Sequence, residues 1–137
     1  MENEAIDSPL SVPELLARYA AGERAFPGLD LRNADLAGCE LPEIELRGAD
    51  LSGADLTTCK LAHADLKAAN LRGADLSGAI LVRANLINAD LTGADLRWAD
   101  ISYADLTRAN LQGAEMTMTI TIRTRFKGTT MPDGTRR

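Results

Sequence analysis

The chain has 137 residues and a formal net charge of -5, and leucine and alanine supply 42 of its 62 hydrophobic residues while only five residues are aromatic. The acidic balance disfavours a general nucleic-acid-binding protein, which usually carries an excess of basic residues. The longest apolar stretch, residues 79–82, is far shorter than the roughly 20 residues that cross a bilayer, and the acidic start Met1-Glu2-Asn3-Glu4 is unlike the basic region of a signal peptide. We therefore expect a soluble cytoplasmic protein. The bias toward leucine and alanine indicates that the same packing arrangement is repeated many times in its core.

The first predicted element is a short N-terminal helix. Ser11-Val12-Pro13-Glu14 matches the pattern of a capping box with proline at the helix start, and Gly22 supplies a stop. The sequence predicts a helix from Val12 to Ala21 inside a capping segment, residues 11–23. The preceding residues, 1–10, are expected to form a flexible N-terminus.

A five-residue repeat begins at Leu29 and runs to Met118 in 18 consecutive units without an insertion. The third position is leucine in 16 units, the first is alanine in 14, and the second is Asp, Asn or Glu in 16. Arg24-Ala25-Phe26-Pro27-Gly28 fits as a degenerate first unit, so the repeat domain is predicted to span residues 24–118, or 4.75 coils of 20 residues. The core leucines chosen to represent it are Leu31, Leu36, Leu51, Leu56, Leu71, Leu76, Leu91, Leu96 and Leu111.

The spacing of the leucines excludes both standard elements. On an α-helix, each five-residue step would rotate the leucine by about 140° and spread the set around the circumference. On a flat strand, an odd spacing would send successive leucines to opposite faces. The leucines share one interior only if the chain turns a corner in every repeat, with the first and third positions inward and four corners closing a coil. Within residues 24–118, eight of the chain's eleven glycines occupy the fifth position, which favours a tight corner there.

The motif A(D/N)LXX, as in Ala49-Asp50-Leu51-Ser52-Gly53 and Ala94-Asp95-Leu96-Arg97-Trp98, resembles the pentapeptide-repeat family. This resemblance implies an all-β solenoid, the right-handed quadrilateral β-helix of that family; the spacing alone does not establish the handedness. The closing segment, residues 126–134, also resembles the tail of cyanobacterial members. Because an open solenoid exposes its core at both ends, we expect the N-terminal helix to act as a cap.

The C-terminal segment, residues 119–137, differs from the repeats in charge. It carries one acid and five bases, whereas residues 29–118 carry fourteen acids and eight bases. Residues 117–123 alternate like a strand, although Phe126 and Met131 remain on the five-residue frame. We expect this segment to continue or cover the last coil and to end in a basic tail.

The second positions of one predicted side form an unbroken column of carboxylates: Asp35, Asp55, Asp75, Asp95 and Glu115. The family resemblance implies one use for such a column, because members that protect or inhibit DNA gyrase present an acidic rod resembling B-DNA. The alternative is structural, since Asp and Asn side chains bond local backbone near corners and fill this position on every side. A rod of roughly 23 Å would also span only about seven base pairs. Calcium-loop spacing is missing, so we expect no metal site.

Cys39 and Cys59 lie one coil apart at the inward first position, so their Cα atoms are expected about 4.8 Å apart. That separation permits a disulfide. The interpretation we favour is two reduced thiols that act as small apolar fillers in a cytosolic core.

Breaks in the repeat identify a candidate interaction surface. Ile80 replaces the expected acid, and Val82 and Ile87 occupy outward fourth positions. Exposed apolar groups of this kind are typical of contact surfaces, although scattered surface apolar residues are also common. The candidate surface consists of His63, Ile80, Val82, Arg83, Ile87, Trp98 and Tyr103.

Catalysis has little support in the sequence. The single histidine, His63, occupies an outward fifth position, and neither a nucleophile elbow nor a glycine-rich phosphate loop is present. We expect no enzyme activity and no cofactor. The favoured function is a protein-interaction scaffold, monomeric or dimeric end to end or side by side, without direct nucleic-acid or membrane binding. The alternative is a DNA-mimicking modulator of DNA gyrase or another type II topoisomerase.

Overall fold

The computed structural model describes residues 10–137, so the predicted flexible segment, residues 1–10, lies outside the described residues except for Leu10. Leu10 packs against the hydrophobic core. The described chain consists of one N-terminal helix and a four-sided solenoid of five-residue repeats.

Helix α1 spans Val12–Ala20 and follows the N-cap residue Ser11. The Ser11 hydroxyl accepts a hydrogen bond from the backbone N–H of Glu14, whose carboxylate accepts from the Ser11 N–H in return. Leu15 is fully buried in the core of the solenoid, and the Tyr19 hydroxyl donates to a backbone carbonyl of the first coil, 2.6 Å away. No helix within residues 10–137 is long and apolar enough to cross a membrane.

The solenoid is built from parallel bridges between residues 20 apart, which means that each coil has four repeats and four sides. We number the sides 1 to 4 in chain order and name each corner by the two sides it joins. The bridged residues are Ala25, Glu45, Asp65, Asn85, Asp105 and Arg125 on side 1; Asp30, Asp50, Asn70, Asp90, Asn110 and Thr130 on side 2; Asp35, Asp55, Asp75, Asp95 and Glu115 on side 3; and Glu40, Lys60, Ile80, Asp100 and Ile120 on side 4.

Backbone hydrogen bonds join each coil to the next. The Leu31 N–H donates to the carbonyl of Asp50 at 2.7 Å, and the Asp50 N–H donates back to the carbonyl of Leu29 at 2.9 Å. At the corner, the Asn33 N–H donates to the carbonyl of Ser52 at 2.9 Å. The sides are too short for continuous strands, because two of every five residues turn. The β-structure of the solenoid is a stack of single-residue bridges.

Each corner is a tight turn with a left-handed residue at the fifth position. Every fifth position from 28 to 128 has a φ between 55° and 73°. The turn closes through a bond such as that from the Ala34 N–H to the Leu31 carbonyl at 3.1 Å, the pattern of a type II β-turn. At Gly93 nothing lies within 4 Å of the place a Cβ would occupy, so glycine suits this corner through its φ and not through lack of space.

The core consists of stacked leucines at the third position and small residues at the first. The nine leucines chosen from the sequence to represent it are each at most 2% exposed. Burying one leucine side chain contributes roughly 1.5–3 kcal/mol, so the repeated layer is the main source of stability.

The ladder of bridges continues past Met118, where the sequence placed the end of the repeat domain. Ile120, Arg125 and Thr130 each bridge to the residue one coil earlier. Residues 24–133 therefore hold 22 repeats, or five and a half coils, about 26 Å of solenoid. The sequence kept Phe126 and Met131 on the five-residue frame but left the continuation open, because threonine replaces alanine at the first position of the last units.

Those threonines make bonds that alanine cannot. The hydroxyls of Thr119, Thr124 and Thr129 donate to backbone carbonyls of the preceding coil at 2.6, 2.8 and 2.7 Å. The last coil thus replaces part of its apolar interior with satisfied polar groups, which suits a layer that has no further coil stacked on it.

The end of the chain folds back over this last coil. Thr130 and Arg136 form an antiparallel bridge, and the Arg137 guanidinium carbon lies 5.0 Å from the centre of the Phe126 ring. The basic segment is therefore attached to the solenoid by backbone bonds and a cation–π contact.

Candidate interaction surface

Side 4 and its two flanking corners carry the large exposed apolar side chains of residues 10–137. On the side itself these are isoleucines at second positions, where other sides carry acids. The corners add aromatic, methionine and isoleucine side chains at fourth and fifth positions. We name this set the apolar patch; it consists of Ile80, Trp98, Tyr103, Met118, Ile120 and Ile122.

The solenoid holds the apolar patch on three successive coils. The Trp98 N–H donates to the carbonyl of Thr117, next to Met118, at 3.2 Å, and the Tyr103 N–H donates to the carbonyl of Ile122 at 2.9 Å. Trp98 is 64% exposed and Ile122 is 59% exposed. Because the coils are about 4.8 Å apart, these side chains lie near one another on a rigid backbone, with Asp100 between Ile80 and Ile120.

The residues chosen from the sequence are only partly brought together. Ile80, Trp98 and Tyr103 belong to the apolar patch. Val82 is half-buried beside it at the corner between sides 4 and 1. Ile87 lies at the corner between sides 1 and 2, so the whole of side 1 separates it from the others, and its assignment to the same surface was wrong.

His63 and Arg83 lie in the same corner column as Tyr103, one coil apart from each other. The Arg83 guanidinium carbon is 4.5 Å from the centre of the Tyr103 ring, a cation–π contact. His63 is exposed, one coil further toward the N-terminus than Arg83. This column therefore adds polar and cationic groups along one edge of the apolar patch.

Sequence reasoning did not place Ile120 and Ile122 on this surface. Residues 117–123 alternate between threonine and apolar residues like a strand, so the sequence left open whether this segment continues or covers the last coil. Counting the five-residue frame onward would have placed Ile120 at a second position below Ile80 and Ile122 at a fourth position below Val82.

The acids at second positions have a common local role. In thirteen repeats the Asp or Asn Oδ1 accepts a hydrogen bond from the backbone N–H two residues later, at 3.0–3.2 Å. Asn70, Asn85 and Asn110 make the same bond as the aspartates. Where this bond forms, it uses the acceptor oxygen and not the charge.

The acidic column of side 3 follows this rule. Asp35, Asp55, Asp75 and Asp95 each accept the local backbone bond, and the longer Glu115 completes the column. The hydroxyl and backbone N–H of Thr57 lower the pKa of Asp55. The Arg97 side chain lies 2.6 Å from Asp95 and lowers the pKa of that carboxyl, so part of the column is already neutralised.

Arginines neutralise acids on other sides as well. The Arg32 guanidinium bonds Asp30 at 2.8 Å and, together with the Arg32 backbone N–H, holds the pKa of that carboxyl at about 2. Arg72 reaches Asp90 one coil on at 3.2 Å. The acidic surface is thus interrupted by ion pairs rather than continuous.

Cys39 and Cys59 are both free thiols. Cys59 is fully buried, and burial raises its pKa to about 12. Burial also raises the pKa of Cys39. Neither thiol has the depressed pKa of a nucleophile, and residues 10–137 contain no group of three or more His, Cys, Asp or Glu side chains placed to hold a metal ion.

Comparison with protein-family models shows the family to which the chain belongs. A family model of pentapeptide repeats matches residues 30–67, 59–97, 79–117 and 89–128, which together cover more than half of the chain. The chain belongs to the pentapeptide-repeat family. The resemblance of its A(D/N)LXX motif is therefore confirmed.

Solved structures of this family share the fold. A pentapeptide repeat protein from the cyanobacterium Cyanothece 51142 superimposes with a TM-score of 0.74 at 28% identity, over 88% of this chain and 95% of that one. A pentapeptide repeat protein of the Arabidopsis thaliana thylakoid lumen gives a TM-score of 0.62 at 35% identity, over 78% of this chain and 71% of that one. QnrB1, a plasmid-mediated fluoroquinolone resistance protein, gives 0.53 at 19% identity, over 79% and 63%, and this likeness shows the fold alone. No match was found among the curated proteins.

Proposed function

We propose that this pentapeptide-repeat protein is a non-enzymatic scaffold that binds a protein partner through the apolar patch on side 4. The observation that carries the proposal is the clustering of all six large exposed apolar side chains of residues 10–137 on one side and its corners. Contiguous apolar groups with a polar rim are typical of protein-binding surfaces. As part of the proposal, the solenoid is right-handed and α1 closes its N-terminal end. The protein is cytoplasmic, and the reducing cytoplasm keeps both thiols reduced.

Trp98 supports a binding role because nothing in the solenoid requires it. The equivalent corner one coil earlier is Gly78, and Trp98 holds a φ of 66°, where a bulky residue costs on the order of 1 kcal/mol. Its side chain is mostly exposed, so little burial offsets that cost. Tryptophan is the residue type most enriched at the energetic centre of protein interfaces.

The patch also contains and adjoins charged groups. Asp100 lies within it on side 4, between Ile80 and Ile120, and Arg83 borders it at Tyr103. Charged groups within and beside an apolar surface favour one orientation of a partner more than they add affinity.

Site-specific photo-crosslinking tests the proposal. A benzophenone amino acid is placed at Ile122 or, as a matched control, at Gln112, an exposed fourth position at the opposite corner, and each protein is irradiated in an extract of the native host. We expect a discrete crosslinked protein at position 122 but not at position 112. Excess unlabelled wild-type protein should compete for it.

A second pair of variants serves as competitors. Ile122→Asp should compete at least tenfold less well than wild type, because it places a carboxylate within the apolar patch. Gln112→Asp adds the same charge elsewhere and should compete like wild type. Equal competition by both variants, or the same crosslinked proteins from both positions, would remove the apolar patch as the binding site.

The DNA-mimic alternative depends on the column of five carboxylates on side 3. Against it, four of these carboxylates accept bonds of local turns, and Arg97 pairs with Asp95. The length of the solenoid, about 26 Å, also equals the length of only about eight base pairs of DNA. A gyrase supercoiling assay with and without a quinolone tests it, using wild type and the variant with Asp35, Asp55, Asp75 and Asp95 replaced by Asn. Because Asn keeps the turn bonds, an effect that wild type shows and this variant loses would favour the alternative over the scaffold.

A further inference from the structure

A shallow cavity of about 310 Å³ lies at the corner between sides 4 and 1, beside the apolar patch. It is lined by Arg83, Tyr103, Ala104, Asp105, Arg123 and Arg125. Three arginines and one aspartate therefore line one cavity, on a protein with a formal net charge of -5. We propose that this cavity binds a phosphate-type dianion, and the proposal does not depend on a partner at the apolar patch.

Arg83 and Arg123 carry charges that the described residues do not neutralise. Within residues 10–137 neither forms an ion pair with a carboxylate. The side 1 residue that follows Arg83 is the uncharged Asn85, and the one that follows Arg123 is Arg125 instead of an acid. Four arginines elsewhere on the solenoid do pair with acids; they are Arg32, Arg47, Arg72 and Arg97. Arg108 instead donates to the Asn88 side chain.

The one carboxylate of the cavity is already engaged. Asp105 Oδ1 accepts bonds from the backbone N–H and the hydroxyl of Thr107. Its other oxygen, Oδ2, lies 3.9 Å from Nη1 of Arg125, which is too long for a hydrogen bond. The donors of Arg125 therefore remain available to an anion.

The cationic groups project from a rigid frame. The N–H of Arg83 donates to the Ser102 carbonyl, and the N–H of Arg125 donates to the Ala104 carbonyl, both at 2.9 Å. The Arg83 guanidinium lies against the Tyr103 ring at 4.5 Å, which restricts its orientation. Less side-chain freedom is then lost when an anion binds.

The charge and shape of the cavity favour phosphate over a carboxylate. Three guanidinium groups less one carboxylate leave a local excess of two positive charges, which a dianion neutralises. A phosphate has enough acceptor oxygens to engage two planar guanidinium forks at once, whereas one carboxylate has two oxygens. The volume is at the lower end of ligand pockets, so a phosphoryl group with a small attached body would fit.

Titrations followed by NMR test the site on the full-length ¹⁵N-labelled protein at low ionic strength. The probes are inorganic phosphate, phenyl phosphate, a phosphoserine peptide and, as a carboxylate dianion, succinate. We expect saturable shifts concentrated at the amides of Arg83, Tyr103, Arg123 and Arg125, weakened by added salt. Arg83→Gln/Arg123→Gln should bind phosphate at least tenfold more weakly, while Arg47→Gln/Arg72→Gln, which removes the same charge elsewhere, should bind like wild type.

The outcomes separate the site from general charge effects. Equal weakening in both double variants, shifts that do not saturate, or succinate binding as tightly as phosphate would overturn the proposal. If the site holds, a phosphoserine peptide that binds tenfold more tightly than phenyl phosphate places the phosphoryl group on a protein partner. Equal affinity for the two identifies a free phosphorylated small molecule as the ligand.

Discussion

The buried thiol of Cys59 links the stability of the core to pH. It occupies a first position where most repeats have alanine, and its side chain is fully buried. A thiolate there would lack solvent and would also face Cys39 one coil earlier, and these effects raise the pKa of Cys59 to about 12. The folded protein therefore keeps this proton at pH values where an exposed cysteine releases it.

The consequence is a pH-dependent loss of stability. In the unfolded chain the thiol titrates near its usual value of 9.0, so between pH 9 and 12 the unfolded state releases a proton that the folded state retains. We expect the free energy of unfolding of wild type to fall more steeply above pH 9 than that of Cys59→Ala, with no such difference between the slopes below pH 8. Urea unfolding under reducing conditions, at half-unit steps from pH 7 to 10.5, measures this. Parallel curves for the two proteins would contradict the buried-thiol explanation.

The corner turn explains why Asp and Asn are common at the second position of the repeat. Asp75 accepts hydrogen bonds from both the backbone N–H and the hydroxyl of Ser77, at 3.0 and 2.6 Å. Without this acceptor, the N–H of the fourth position would rely on solvent. The bias toward Asp and Asn on sides 1 to 3 follows from this bond.

Substitution of Asp75 separates its turn role from its charge. Asp75→Asn keeps an acceptor oxygen in place, as Asn70 does, so its free energy of unfolding should stay within about 0.5 kcal/mol of wild type. Asp75→Ala removes both bonds and should cost about 1–2 kcal/mol. Urea unfolding at pH 7 measures the difference. If Asn proved as destabilising as Ala, the charge and not the acceptor would be what the corner requires.

The five-residue frame made the corners and core layers predictable, because leucines spaced five residues apart share one interior only if the chain turns a corner in every repeat. For the last coil, the sequence left open whether residues 119–137 continue the frame or only cover it. The polar first positions of this coil, such as Thr119 and Thr129, fit inside only because each hydroxyl meets a carbonyl of the preceding coil, and no one-dimensional pattern records that contact. Ending the frame at Met118 also separated Ile120 and Ile122 from the surface that Trp98 had indicated.

The misplacement of Ile87 has a different cause. Its fourth position resembles that of Val82, and the two are five residues apart in sequence, but five residues correspond to a full side of the solenoid. Outward residues lie directly above one another only when their sequence separation is a multiple of 20, the length of one coil. Tyr103 is five residues from Trp98 and still belongs to the same patch, because both lie at corners of side 4.

At the scale of the whole molecule, each core layer packs between two neighbours except at the two ends. The C-terminal end closes with the threonine-containing coil and the strand pairing of Thr130 with Arg136. The N-terminal end has α1, which contributes the fully buried Leu15 to the same core. An uncovered end would present stacked leucines and unpaired backbone groups to other molecules.

A charged residue at Leu15 tests whether α1 closes the N-terminal end. Leu15→Glu preserves helix propensity but places a carboxylate in the core, so α1 should detach, with a loss of at least about 2 kcal/mol in the free energy of unfolding. The uncovered first coil should then cause concentration-dependent self-association in sedimentation velocity experiments. Ala17→Glu places the same charge on an exposed position of α1 and should unfold and sediment like wild type. If Leu15→Glu also remained monomeric and equally stable, the helix would be an attachment to the solenoid and not its cap.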